Sequence, residues 1–202
     1  CTKVYTPAEV VQVDTQGDAG KVDGSQIVLF VEGKPQFDTI KKWLTNGQDP
    51  LVKDPELKTY LGEYIKKYEG KNIICIPDLH KEDNNVNGWT SIVKRVSGEQ
   101  LKFSNKFGMF YIWRKNRYIG CMDPEILINY ITEILGLVEH SAFKCVVEKA
   151  ATRDDKNAED FEKSALKLLT STKKYVSVAH AKDVLKKYKG MDVGNDLLGY
   201  YE

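Results

Sequence analysis

The sequence lacks long apolar runs and lacks an excess of charge of either sign. Its longest aliphatic run covers only Ile27–Val31, whereas a membrane-spanning helix needs about 20 apolar residues. The 30 lysines and arginines nearly balance the 29 aspartates and glutamates, so the formal net charge of the 202-residue chain is +1. That balance excludes a protein that coats nucleic acid by bulk charge. With 42% hydrophobic residues, the composition is that of an ordinary globular protein.

The chain also lacks a cysteine pattern for metal binding. Its four cysteines are widely spaced and form no CxxC pair, and no histidine falls near a cysteine at the spacing of a zinc site. We expect thiols rather than disulfides at the three internal cysteines, because each lies in an apolar segment. These three are Cys75, Cys121 and Cys145.

The first residue, Cys1, stands where an initiating methionine would be. One interpretation is a lipid-anchored surface protein, because a lipid-modified cysteine begins the mature chain of a bacterial lipoprotein. A catalytic amino-terminal cysteine and a domain excised from a longer viral or cellular polypeptide are alternatives. The expected location depends on this choice: anchored outside the cytoplasm if Cys1 is the lipid attachment site, and cytoplasmic otherwise.

Hydrophobic spacing predicts an α/β or α+β fold with a mixed sheet. Ile27–Val31 and Asn72–Ile76 are apolar throughout, which is typical of strands buried on both faces, and two helical patterns separate them. This order predicts a parallel crossover, and hence a parallel core. Two alternating segments predict an antiparallel hairpin near 107–122. Further strands are expected at Leu101–Phe103 and Phe143–Val147, and helices at 36–44, 55–70, 89–96, from 124, at 155–173 and at 177–189.

The predicted domain organisation is simple. Residues 1–26 are polar and rich in glycine, so we expect an N-terminal extension or an edge segment there. Residues 27–202 are expected to form a single α/β domain, with an internal boundary near 97–100 as the alternative. We find no internal repeat and no low-complexity tract.

Two of the apolar segments end in residues that suggest chemistry. IVLFVEGKPQFDTIKKWL is a strand that ends at Glu32-Gly33 and leads into a helix, and the later segment NIICIPDLH ends with Asp78 and His80. Over about residues 26–96 this arrangement resembles Toprim domains, which occur in primases, topoisomerases and related nucleases. The resemblance implies that Glu32, Asp78 and His80 hold a divalent metal for phosphodiester chemistry.

The metal expected from this resemblance is Mg²⁺ or Mn²⁺. Carboxylates at the carboxyl ends of adjacent parallel strands converge in one crevice, and hard cations prefer such oxygen ligands. The imidazole of His80 stands where the family has a second aspartate, and it suits Mn²⁺ better than Mg²⁺. The alternative interpretation makes Glu32 a solvated acid at a strand end and Asp78 the opening residue of a turn.

The predicted hairpin and the strand before it combine basic and aromatic residues. Between Leu101 and Met122 there are five basic residues and no acidic one, with six aromatic side chains interleaved. Basic groups beside aromatic rings are typical of proteins that bind single-stranded nucleic acid. Alternation also places one face of the hairpin in the core, so a core hairpin with a charged tip is the alternative. The candidate phosphate contacts are Arg114, Lys115 and Arg117, with Lys102 and Lys106 beside them.

Together these features predict a domain that engages nucleic acid, with single strands as the expected partner, or another phosphate-bearing partner. A degenerate Toprim-like metal site would add phosphodiester chemistry. The alternative is a non-enzymatic binding or structural module that acts through an unidentified protein partner.

Overall fold

The computed structural model describes residues 37–45, 52–71, 75–114, 116–152 and 155–190. Within these ranges the chain forms six α-helices and one three-stranded antiparallel sheet, which is an α+β architecture. The helices are α1 (Phe37–Thr45), α2 (Pro55–Tyr68), α3 (Val86–Ser97), α4 (Pro124–Ala151), α5 (Ala158–Thr172) and α6 (Val178–Lys189). The strands are β1 (Leu101–Ser104), β2 (Met109–Arg114) and β3 (Arg117–Cys121).

The predicted parallel core is not shown by the described residues. Ile27–Val31 lies outside them, and so do the first three residues of Asn72–Ile76. The described remainder of the second segment, Cys75 and Ile76, is not in a strand. All strand pairs in the described ranges are antiparallel, and the parallel pair stays a prediction.

The chain divides into two compact units, which are described separately. Among the described residues, the sheet unit contains Glu82–Gly136 and the segment from Tyr175 to 190. The helical unit contains the described residues up to Lys81, together with Leu137–Lys174. A compact unit is not by itself an independently folding domain, so the predicted domain bounds remain a prediction. None of the described helices combines the length and the apolar character needed to cross a lipid bilayer.

The sheet unit contains the predicted hairpin, which is confirmed as antiparallel. Strand β2 lies in the centre, with Phe110 opposite Phe103 of β1 and Ile112 opposite Ile119 of β3. Phe103, Phe110 and Ile112 are buried, so this face of the sheet belongs to the core. Alternation places the next residues along each strand, including Tyr111, on the opposite face.

The helical unit is organised around α2. Asp54 is the N-cap, and its carboxylate accepts backbone N–H groups from Glu56 at 2.9 Å and Leu57 at 3.0 Å. Pro55 occupies the first turn, where a missing N–H costs nothing. The buried Glu162 of α5 accepts the backbone N–H groups of Lys53 and Asp54, which ties the start of α2 to α5. The predicted start of this helix is confirmed.

The strand predicted at Phe143–Val147 is wrong, because these residues belong to α4, which continues to Ala151. Buried residues recur at a spacing of three or four along the whole of α4, from Leu127 to Ala150. This period is helical, and it continues through the segment FKCVV without a break. Helical continuity therefore outweighs the local apolar and β-branched composition.

Gly136 lies in the interior of α4, and a Cβ added there would meet no atom within 4 Å. We expect Gly136→Ala to raise the free energy of unfolding by about 0.5–1 kcal/mol, because alanine loses less conformational freedom than glycine in a helix. Urea denaturation followed by circular dichroism measures this change. The matched control is Gly88→Ala, since a Cβ at Gly88 would overlap the carbonyl oxygen of Asp83.

Gly88→Ala should lower the free energy of unfolding by about 1–3 kcal/mol through this steric overlap. The two substitutions should therefore change the stability in opposite directions. A loss of stability for Gly136→Ala would contradict the uninterrupted helix.

Candidate functional site

A cleft of about 680 Å³ lies within the helical unit, and we call it the basic cleft because four lysines line it. Three segments line it: the turn at 77–81, the second half of α4 and one face of α5. The lining includes side chains that carry charged, imidazole, thiol or hydroxyl groups. These are Asp78, His80, Lys81, Ser141, Lys144, Cys145, Glu148, Lys149, Ser164, Lys167 and Ser171.

The turn at 77–81 places His80 against α4. Asp78 has a φ of 67°, a left-handed conformation that aspartate tolerates better than most residues. Leu79 is fully buried and anchors the turn, which continues as a short 3₁₀ helix to Lys81. The alternative interpretation of Asp78 as a turn residue therefore agrees with the structure.

His80 and Ser141 make two hydrogen bonds with each other. The backbone N–H of His80 donates to Ser141 Oγ at 3.3 Å, and His80 Nδ1 lies 2.7 Å from the same oxygen. Since Oγ accepts the backbone N–H, its own proton is available to donate to Nδ1. When Oγ donates that proton to Nδ1, neutral His80 carries its ring proton on Nε2. Burial lowers the pKa of His80, and Asp78 opposes this in part.

Two of the four lysines of the basic cleft are neutralised by neighbouring carboxylates. Lys81 pairs with Asp78 at 2.9 Å, and Lys144 pairs with Glu148 at 3.2 Å. Lys149 and Lys167 form no ion pair with any other described residue. Four lysines against two carboxylates leave the cleft with a net charge of +2 when His80 is neutral.

Helices α4 and α5 also supply hydroxyl groups to the cleft. Ser164, Lys167 and Ser171 follow one another at i, i+3 and i+7, which is one face of α5. The hydroxyl of Ser171 donates to the carbonyl of Leu168 at 2.7 Å, so its oxygen can only accept further bonds. In the part of the chain that the structure describes, the Ser164 hydroxyl has no hydrogen-bond partner and is available as a donor.

The internal cysteines are thiols, as expected, and none forms a disulfide with another described residue. Cys75 is buried, its thiol donates to the carbonyl of His140 at 3.3 Å, and burial raises its pKa to about 12. Cys121 and Cys145 are half-buried, and Cys145 lines the basic cleft. Cys1, the candidate lipid attachment site, lies outside the described residues.

The structure brings two of the three predicted metal ligands into the basic cleft. Asp78 and His80 both line it, whereas Glu32 lies outside the described residues. No group of three or more histidine, cysteine, aspartate or glutamate side chains in the described ranges is arranged to hold a metal ion. The Asp78 carboxylate binds the Lys81 ammonium instead. These residues do not by themselves fit a Mg²⁺ or Mn²⁺ site, and the metal role of Glu32, Asp78 and His80 stays a prediction.

Among the residues predicted to contact phosphates, Lys102 interacts with other groups of the protein. Its ammonium pairs with Glu99 at 2.6 Å and lies 5.6 Å from the centre of the Tyr118 ring, and its side chain is 11% exposed. Lys106 and Arg117 are exposed. The side chain of Arg114 and the whole of Lys115 lie outside the described residues.

The aromatic residues of the hairpin pack mainly against one another. Tyr111 and Tyr118 are buried, with Met109 and Trp113 against them, and the rings of Trp113 and Tyr118 are 4.8 Å apart. Phe107 differs in its exposure, which is 48%. Its ring meets that of Tyr111 edge-on, with the centroids 6.4 Å apart, and the Lys106 ammonium lies 5.2 Å from its ring centre. For most of these rings the packing agrees with the alternative of a core hairpin.

Sequence reasoning missed Ser141, Lys149, Ser164 and Lys167. The expected strand at Phe143–Val147 interrupted the helix whose spacing places Ser141, Cys145 and Glu148 on one face. The signal in α5 was present, since Ser164, Lys167 and Ser171 have helical spacing, but a polar stripe on a helix is usually only a solvated face.

Comparison of the chain with protein-family models, with curated proteins and with solved structures finds no match. The chemistry of the basic cleft is therefore the basis on which function is inferred.

Proposed function

We propose that this protein binds a phosphate-bearing ligand in the basic cleft. The observation that carries the proposal is the pair of lysines, Lys149 and Lys167, which line one cleft and form no ion pair with any other described residue. Cationic side chains beside hydroxyl donors are the groups that bind phosphate oxygens with charge-assisted hydrogen bonds. Ser164 supplies such a hydroxyl from the same face of α5 as Lys167.

The size of the cleft supports a ligand of small-molecule or nucleotide dimensions. Its volume of about 680 Å³ falls within the range of about 300–1,000 Å³ that is usual for small-molecule sites. Lys149 and Lys167 are exposed to solvent, so their attraction for an anion should be screened by salt. We therefore expect binding that weakens clearly as the ionic strength rises.

Single-stranded nucleic acid on the hairpin is a second candidate function, and the exposed Phe107 is the observation that favours it. An exposed aromatic ring beside a lysine offers a surface on which a base stacks while the cation contacts a phosphate. Lys106 and Phe107 have this arrangement, and Arg117 is exposed on β3 of the same sheet. The Toprim-like metal site predicted at Glu32, Asp78 and His80 is not part of this candidate, because Asp78 and His80 line the basic cleft of the helical unit.

Neutralising the cleft should weaken phosphate binding. We expect the double variant Lys149→Gln/Lys167→Gln to reduce the affinity for inorganic phosphate by about tenfold or more, which corresponds to about 1.4 kcal/mol. Titration of phosphate into isotope-labelled protein at low salt, followed by NMR, measures the dissociation constant. The matched control is Lys182→Gln/Lys186→Gln on α6, which removes the same charge from exposed positions of the sheet unit.

The control should stay within about twofold of the unmodified protein, because Lys182 and Lys186 do not line the basic cleft. It removes the same net charge as the cleft variant, so it measures any loss that comes from non-specific attraction alone. Equal losses in both double variants would contradict a specific site in the cleft.

The cleft variant and a matching hairpin variant separate the two candidate functions when the probe is a fluorescent oligothymidylate. Binding through the cleft predicts a loss in Lys149→Gln/Lys167→Gln. Binding through the hairpin predicts a loss in Lys106→Gln/Arg117→Gln instead, with a salt dependence that is flatter by about 0.7 per phosphate contact removed. Oligothymidylate binding that only the hairpin variant weakens would move the function to the hairpin.

A further inference from the structure

The contact between His80 and Ser141 determines which ring nitrogen of His80 is available to a ligand in the basic cleft. Nδ1 is occupied by the Ser141 hydroxyl at 2.7 Å, while His80 itself lines the cleft. Nε2 makes no hydrogen bond with any other described residue, and it is the ring atom that remains for a ligand. Ser141 Oγ accepts the His80 backbone N–H and can donate its own proton to Nδ1. When it does, the ring proton of neutral His80 sits on Nε2, the atom that is left for a ligand.

The charge of the cleft indicates which form of phosphate it suits. Its net charge of +2 matches a phosphate monoester, which carries a charge of about −1.5 to −2 near neutral pH. Each phosphate of a nucleic-acid backbone is a diester with a single negative charge. A terminal phosphate also has three oxygens available, so it can accept hydrogen bonds from more than one of the cationic and N–H donors that line the cleft.

We infer that the basic cleft recognises the terminal phosphate of a phosphate monoester, with His80 Nε2–H donating to one of its oxygens and Ser141 acting as a positioning residue for the His80 ring. This inference rests on the proposed function, which requires only that a phosphate-bearing ligand binds in the cleft. It adds the class of ligand, which is a phosphate monoester in preference to a diester polymer. It also adds His80 and Ser141 to the two lysines that the proposed function assigns to ligand binding.

Methyl phosphate and dimethyl phosphate are the probes that test it. They share the same small body, but at about pH 8 the first is largely a dianion and the second a monoanion. NMR titration should give a dissociation constant for methyl phosphate that is about tenfold or more lower than that for dimethyl phosphate. The Nε2 resonance of His80 should shift as methyl phosphate is added.

Variants of His80 and Ser141 distinguish a role of Ser141 in positioning the His80 ring from a role in protein stability alone. Ser141→Ala should weaken methyl phosphate binding several-fold and change the imidazole ¹⁵N spectrum of His80 from one Nε2–H tautomer to a mixture. Ser141→Thr keeps the hydroxyl and should restore both the tautomer and the affinity. His80→Asn should lose the preference for the monoester. His180→Asn, which alters a histidine of the sheet unit, is the matched control and should leave binding unchanged.

The outcomes distinguish this inference from the proposed function. If both probes bind equally and only Lys149→Gln/Lys167→Gln weakens them, the phosphate site stands and the roles of His80 and Ser141 fall. An unchanged His80 tautomer in Ser141→Ala would also overturn the positioning role. If neither probe binds the unmodified protein, the inference and the proposed function fail together.

Discussion

Phe143→Ala is expected to lower the free energy of unfolding by about 3–5 kcal/mol, because it empties a site in the core of the helical unit. The Phe143 side chain is 2% exposed. Its ring stacks on that of Tyr64, with the centroids 3.6 Å apart and the planes inclined by 11°. The substitution removes this stacking and leaves a cavity between α2 and α4. Urea denaturation followed by circular dichroism measures the loss.

Phe107→Ala is the matched control, since it removes the same side chain from a position that is 48% exposed. We expect that control to cost less than about 1 kcal/mol, as is usual at partly exposed positions. If Phe143→Ala is too unstable to fold, Phe143→Leu keeps most of the volume and should cost a smaller, measurable amount. A loss for Phe143→Ala no larger than that for Phe107→Ala would contradict the packing described for this helix.

Phe143 also shows where sequence patterns were sufficient and where they failed. Helix starts were predictable from local chemistry: Asp54-Pro55 begins α2, and Ser177 caps α6 by accepting N–H groups from Ala179 and His180. Phe143 lies in a segment whose five residues read equally well as a buried strand or as part of a helix. Only the period of the longer stretch decides between them.

The basic cleft was harder to predict because its parts are far apart in sequence. His80 contacts Ser141 across 61 positions, and no local pattern specifies such a contact. The importance of His80 and Asp78 was predicted, but from a family resemblance that assigned them to a metal. In the structure Asp78 binds Lys81 and His80 binds Ser141.

Lys102 shows a limit of counting charges in a window. The segment from Leu101 to Met122 contains no acid, but Glu99 lies just before it and pairs with Lys102 at i, i+3. Glu99 belongs to the short 3₁₀ turn at Gly98–Gln100 that leads into β1. The net charge that a segment presents at the surface is therefore smaller than the charge counted in its sequence wherever a neighbouring element supplies an opposite charge.

The helical unit is expected to lose stability in mild acid, and His140 is the reason. His140 is 4% exposed, and its Nδ1 lies 2.7 Å from the hydroxyl of Tyr64. Burial, aided by the charge of Lys67, lowers the pKa of His140 to about 3, against about 6.5 for an unperturbed histidine. The folded protein therefore keeps this ring neutral at pH values where the unfolded chain protonates it.

The direction of the pH dependence follows from proton counts. Below about pH 6.5 the unfolded state binds a proton at His140 that the folded state does not bind, so stability falls as the pH falls. Between about pH 7 and pH 5 this single group should lower the free energy of unfolding by about 2 kcal/mol. Urea denaturation at a series of pH values measures the slope. Carboxylates add little to the slope in this window, because most titrate at lower pH.

His140→Asn separates this contribution from the rest of the pH dependence. The amide oxygen of asparagine can accept the Tyr64 hydroxyl proton in place of Nδ1, but asparagine does not titrate. The variant should lose some stability near neutral pH, and its slope between about pH 7 and pH 5 should be much flatter than that of the unmodified protein. Burial also lowers the pKa of His80, so His80→Asn should flatten the slope as well. A slope that survives unchanged in His140→Asn would show that His140 is protonated in the folded protein, against the buried neutral pair with Tyr64.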